Sequence, residues 1–229
     1  MKYSIDHAPA FSVLNIEMDE GEILRAQPSS MLCMSTGFDI KAKAGGHLDT
    51  PGALGSAKSL MTGESFFTTV YTAKRDEQQI SIAPEFNGEI LNLDVSQASY
   101  YLTKGAYLAS GEGIRISTEY EGLKGIMAKK GMFLMQASGE GPLFLSSHGS
   151  IIRRVLEPEE RFAVDNSYVL AFESSVKYEL VKATEGLKDS FLSGEGLVNR
   201  YTGPGEVIYQ TRAVERRTGF FTGLINVFT

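Results

Sequence analysis

The stretch Ser193-Gly194-Glu195-Gly196-Leu197-Val198-Asn199-Arg200-Tyr201-Thr202-Gly203-Pro204-Gly205-Glu206-Val207-Ile208-Tyr209-Gln210-Thr211-Arg212 decides the fold. It reads as a glycine turn, a short strand, a Gly-Pro-Gly turn and an alternating strand. Its opening recurs as Thr62-Gly63-Glu64 and Ser138-Gly139-Glu140, each with an apolar pair a few residues on. One turn chemistry used three times, with strand-forming residues between, describes a β scaffold and names no reaction.

Working outward, Phe38, Ile40 and Ala42 alternate with Asp39, Lys41 and Lys43, and Ile114–Tyr120 alternates in the same way. That period of two is the signature of a half-buried strand. The apolar runs Met31–Met34, Ala106–Ala109 and Tyr168–Ala171 correspond to one another, and the alignment makes Ala26, Leu102 and Ala163 equivalent. Ala26 to Gly63 and Leu102 to Gly139 are both 37 positions, while Ala163 to Gly194 shortens to 31. The expected architecture is all-β. Three tandem similar units, near 18–83, 90–152 and 156–212, form one compact double-layered body within a single domain at 1–214. No stretch sustains an i, i+3, i+4 apolar stripe, so helix is limited to single turns at 95–104 and 186–191.

Composition narrows the function classes. A chain of 229 residues with 42% hydrophobic and 22% charged content has an ordinary globular make-up and buries about 70% of its unfolded surface. The net charge of −6 opposes nucleic-acid binding, because phosphate affinity comes from clustered Lys and Arg. The basic pairs Lys129-Lys130, Arg153-Arg154 and Arg216-Arg217 are scattered among carboxylates. The sole cysteine, Cys33, lies between Leu32 and Met34 and reads as a small buried hydrophobe. The N-terminal residues carry no apolar signal region and no window has the length of a membrane span, so the expected location is cytoplasmic.

Catalytic motifs fail their context tests. Gly52–Ser59 is one residue from a phosphate-cradling loop, but Ala57 replaces its second glycine and no strand precedes it. His7, His47 and His148 have no ligand-like spacing, and no nucleophile elbow occurs. The expectation is a non-enzyme with no cofactor, no metal site and no catalytic residue. The three turn glutamates, Glu64, Glu140 and Glu195, are the candidate site. Symmetry would gather them into an acidic ligand or cation site, whereas ordinary turn chemistry has each brace its own turn beside Gly63, Gly139 and Gly194. Gly203 and Gly205 are the remaining turn glycines singled out.

The runs Gly194–Leu197 and Tyr201–Arg212, together with Gly45-Gly46, Leu60–Phe67 and Gly105–Ala109, resemble the altered-inheritance-of-mitochondria (mitochondrial biogenesis) family over roughly residues 1–214. The resemblance implies an all-β fold like that of the Trp RNA-binding attenuation protein and brings no catalytic residues. It points to a scaffold or interaction protein, membrane- or envelope-associated like the mitochondrial relatives, with a small-molecule or cation binder as the alternative. A homo-oligomer with an unidentified protein partner, without nucleic acid, is expected. Peripheral membrane contact would involve the apolar tail 215–229, where three Phe follow Arg216-Arg217.

Overall fold

A computed structural model describes residues 1–44, 67–103, 105–117, 134–182 and 197–213. The glycine loop with its phosphate-like motif, His47, Glu64, Glu195 and the tail 215–229 lie outside them. The described residues are almost wholly β. Among them the one helical element is a 3-10 turn at Asn166–Tyr168, and no helix is long and apolar enough to cross a membrane.

After β1 (Lys2–Asp6), the strands fall into three sets of six. The first is β2 (Val13–Met18), β3 (Ile23–Ala26), β4 (Met31–Met34), β5 (Phe38–Ala44), β6 (Phe67–Ala73) and β7 (Gln78–Ile82). The second is β8 (Ile90–Asn92), β9 (Tyr100–Thr103), β10 (Tyr107–Gly111), β11 (Ile114–Ser117), β12 (Leu134–Gly139) and β13 (Leu143–Ser146). The third is β14 (Ile151–Leu156), β15 (Arg161–Val164), β16 (Val169–Glu173), β17 (Lys177–Lys182), β18 (Leu197–Thr202) and β19 (Gly205–Gln210). Within each set the sixth strand pairs antiparallel with the first and third. The fifth pairs with the second and fourth. The third strand of every set also carries a register shift at the same place, between Met31 and Cys33, Tyr107 and Ala109, and Val169 and Ala171.

Neighbouring sets are stitched by one kind of ladder. β3 pairs with β10, Ala26 facing Ala109, and β9 pairs with β16, Leu102 facing Ala171. Each joint completes a six-stranded sheet, β5-β6-β3-β10-β13-β8 and β11-β12-β9-β16-β19-β14. The halves without a partner remain as a four-stranded sheet, β1-β2-β7-β4, and a three-stranded sheet, β15-β18-β17.

The pairing corrects the sequence alignment by one residue. Seven positions separate Ala26 from Cys33, Leu102 from Ala109 and Val164 from Ala171, and these are equivalent places in the ladders. The third equivalent of Ala26 is therefore Val164, which is buried, and not Ala163, which is exposed. Side chains alternate across a sheet, so a slip of one exchanges core for solvent. The same slip applies to the apolar runs, where Met31–Met34 matches Tyr107–Ser110 and Val169–Phe172. The unit limits also shift, because β2 opens the first set at Val13 and β14 opens the third at Ile151.

Alternation explains most strands. Leu14, Ile16 and Met18 of β2 are buried with half-buried residues between them, and β7 and β11 follow suit. On β5 Phe38 reaches the core while Ile40 is exposed, since β5 ends its sheet. The helical turn expected at 95–104 is a bend followed by β9. The Ser96 amide donates to Asp94 Oδ1 at 2.9 Å, and Tyr100 and Leu102 then enter the core. Three apolar clusters result, one centred on each set. The first is shared with second-set Leu108 and Phe144, the third with second-set Leu134.

Burial holds the phenols of Tyr107, Tyr201 and Tyr100 above their ordinary pKa, with Glu206 adding to the effect at Tyr100. The folded pKa exceeds the unfolded value near 10, so this stabilisation is full below that value and is lost as pH rises above it. Alkaline titration should therefore show tyrosinate absorbance and loss of β circular dichroism rising together above about pH 10. Complete tyrosine ionisation with the fold intact would contradict this burial.

Candidate functional site

The Gly-Pro-Gly turn links β18 to β19 in the cramped space between sheets. A Cβ on Gly203 would run into the Glu157 carbonyl and come within 2.8 Å of the Leu156 carbonyl oxygen. Gly205 has φ +134°, and a Cβ there would sit 2.7 Å from Val176 Cγ2. Only glycine meets both demands. The turn delivers Glu206 into a polar cluster, where the residue is 7% exposed.

Arg153 of β14 grips that carboxylate with two donors, Nε to Oε1 at 2.6 Å and an Nη to Oε2 at 2.8 Å. The Tyr100 hydroxyl donates to Oε2 at 3.0 Å, and the Glu206 amide donates to Glu173 Oε2 at 3.2 Å. The hydrogen bond to Glu206 raises the Arg153 pKa despite partial burial. These contacts satisfy the carboxylate and tie β9 of the second set to β14 and β19 of the third. Their chemistry is bracing, with no uncommitted base. Glu206→Gln should lower stability by about 1.5–3 kcal/mol, the range for hydrogen bonds to charged groups, in chemical denaturation. An unchanged midpoint would show that the clamp contributes nothing.

Of the three turn glutamates, only Glu140 is described. It is exposed, and its amide donates to the Gly113 carbonyl at 3.3 Å. Gly139 closes β12, with φ +113° and no room for a Cβ beside the Gly113 carbonyl. Gly63-Glu64 and Gly194-Glu195 instead precede β6 and β18 in the chain, so the equal spacings of 37 residues are coincidental. By strand position Gly139 corresponds to Gly203, each four residues beyond a matched pair at Met135 and Asn199. Glu140 thus does not share a place with Glu64 and Glu195.

The other candidates are engaged. Arg154 donates to Glu160 at 2.8 Å and covers the Phe162 ring at 4.3 Å. His148 packs 4.3 Å from the Phe86 ring, and burial lowers its pKa. Among the described residues no three His, Cys, Asp or Glu gather as metal ligands. An open groove of about 340 Å³ crosses β1, β2 and β7, and some of its polar side chains pair across it. Lys2 bonds Glu17 at 2.8 Å and Ser81 bonds Asn15 at 2.6 Å.

The feature that sequence reading missed is β4. Its equivalents β10 and β16 are sheet interior and buried, yet Met31 is 39% exposed, Leu32 is 60% exposed and Cys33 is exposed. By sequence Cys33, between Leu32 and Met34, is expected to be a small buried hydrophobe, and its counterparts Ala109 and Ala171 are buried. It lies at the surface because β4 ends its sheet. Sheet edges are normally guarded by charge, proline or shortness. Among the described edges, β1, β5, β11, β14, β15 and β17 each carry Lys or Arg, and β8 has three residues. Only β4, Met-Leu-Cys-Met, has neither defence.

A family model described as mitochondrial biogenesis AIM24 matches residues 3–212. The chain belongs to this family. An uncharacterized protein of Streptococcus pyogenes serotype M6 is 27% identical over 223 residues, 96% of this chain and 89% of that protein. The crystal structure of a Streptococcus pyogenes protein, a structural-genomics target, is similar with a TM-score of 0.72 and 26% identity. The similarity covers 100% of this chain and 99% of that one. The AIM24-family match thus spans all three strand sets and both joints between them.

Proposed function

We propose that this AIM24-family chain is a non-enzymatic scaffold or interaction protein whose working surface is the open edge of β4. The observation that carries the reading is an uncharged, apolar strand left at the surface in the place where β10 and β16 are sheet interior. An added strand would satisfy the free backbone groups of β4 and cover its side chains. Fully burying a Leu or Met side chain contributes about 1.5–3 kcal/mol, so an uncovered β4 forgoes a large share of an ordinary domain's stability. The partner is a protein. Peripheral membrane or envelope association and a cytoplasmic location belong to the same proposal.

The expected Trp RNA-binding attenuation protein-like fold belongs to this reading, but RNA binding does not. Arg153 and Arg154 are spent on Glu206 and Glu160, and the chain carries a net charge of −6. The alternative, a small-molecule or cation binder using the glycine loops or the three glutamates, has less support, because Glu140 follows the fifth strand of its set while Glu64 and Glu195 precede theirs.

Cys33 is the chain's one thiol and sits in β4, so it reports directly on coverage. In intact cells a small membrane-permeant maleimide should modify Cys33 at least tenfold more slowly than in the dilute purified chain. Equal rates would mean that nothing covers β4 and would end this reading.

A further inference from the structure

We infer that the C-terminal tail, residues 215–229, is a strap that covers an aromatic row on its own chain, formed by Phe11, Phe86 and His148. The inference goes beyond the reading of β4 and uses none of its residues. The row lies where the chain passes into each new set. Phe11 precedes β2 and bridges in parallel to Gly88, and Gly88, which precedes β8, bridges in parallel to Gly149, which precedes β14. Phe11 is 66% exposed and Phe86 is 45% exposed, and the His148 ring packs 4.3 Å from the Phe86 ring. Singly exposed apolar residues need no explanation, but neighbouring ones mark a surface that something covers.

The tail is rooted at this row. Two backbone bonds fix the exit from the second set, the Ser147 amide donating to the Glu89 carbonyl at 3.0 Å and the Gly149 amide to the Asn87 carbonyl at 2.9 Å. The exit from the third set repeats them. The Thr211 amide donates to the Ser150 carbonyl at 3.0 Å, and the Arg212 amide to the His148 carbonyl at 3.2 Å. Glu89 and Ser150 immediately precede β8 and β14, and Asn87 and His148 lie two positions further back. The chain therefore leaves the third set beside His148, by the route that leads from the second set into β14.

Charge, length and composition name the tail as occupant. Burial lowers the His148 pKa and Glu85 opposes that effect, which places Glu85 beside the row. Glu85 is exposed and forms no salt bridge among the described residues. Arg216-Arg217 supply the complementary charge, and Phe220, Phe221, Leu224, Ile225, Val227 and Phe228 follow them. Adjacent strands lie about 4.8 Å apart, so the row from Phe11 to the tail's root spans roughly 15 Å. The eight steps from Arg212 to Phe220 reach up to about 26–29 Å when extended, which is ample. A short tether holds a segment at an effective concentration of about millimolar, so the chain's own tail outcompetes that of a separate copy.

The test uses fluorescence. The chain has no Trp, so Phe86→Trp supplies a single emitter at an already exposed place. In the full-length chain, acrylamide should quench that indole at least threefold less than in the same chain carrying Phe220→Ser and Phe221→Ser. Phe11→Trp, more exposed still, is the second probe should the first disturb its bend, and it should behave alike. Co-expressing the tail variant with an excess of the Trp-free wild-type chain should not restore the shielding. Equal quenching with and without the tail phenylalanines at both positions would overturn the inference. Restoration by the wild-type chain would overturn it by assigning the row to another copy's tail. Shielding that arises only with added phosphatidylglycerol vesicles would overturn it in favour of a lipid surface. None of these outcomes bears on the reactivity of Cys33, so this inference and the docking reading of β4 fail separately.

Discussion

The structure depends on one antiparallel ladder, the pairing of a second strand in one set with the third strand of the following set. Each set alone has two half-sheets that share no strand, one built on its sixth strand and one on its fifth. The ladder between sets turns these halves into continuous six-stranded sheets and buries strands such as β10 and β16 on both edges. Antiparallel pairs are stabilised by cross-strand side-chain contacts, and here the contacts at the joint are Ala26 with Ala109 and Leu102 with Ala171. The constraint has a direct corollary: three sets joined twice leave one joint open.

Around the second joint the polar side chains hold one another. Glu206 is fully committed to Arg153 and Tyr100, and the Gly203-Pro204-Gly205 turn exists to bring it there through space that admits no Cβ. The seam balances its charge internally, while most of the described outer edges carry Lys or Arg. The exception is β4.

Much of the fold was legible in the sequence because period-two alternation is a strong signal. The turn residues at Gly139, Gly203 and Gly205 were equally plain, and all-β architecture followed from them. The exact alignment was not legible. The repeated register shift in β4, β10 and β16 interrupts the alternation, so an apolar run can be slid by one residue without visible penalty, and Ala163 stood in for Val164. Glycine spacing misled for a different reason. The stretches between the fourth and fifth strands, 45–66, 118–133 and 183–196, differ in length, so equal distances to Gly63 and Gly139 carried no structural meaning. The working edge was hidden because Met31–Met34 has core composition. Sequence shows that a strand wants burial and does not show whether its own chain supplies the neighbour.

The claim that a protein partner covers the edge of β4 is tested most directly by mass. Size-exclusion chromatography of fresh cell extract should place the full-length chain well above the 25.0 kDa chain mass. It should fall to the single-chain value for Leu32→Lys, a charged guard placed on an exposed edge that leaves the core untouched. A wild-type chain that runs at the mass of one chain, or an assembly indifferent to Leu32→Lys, would contradict the account.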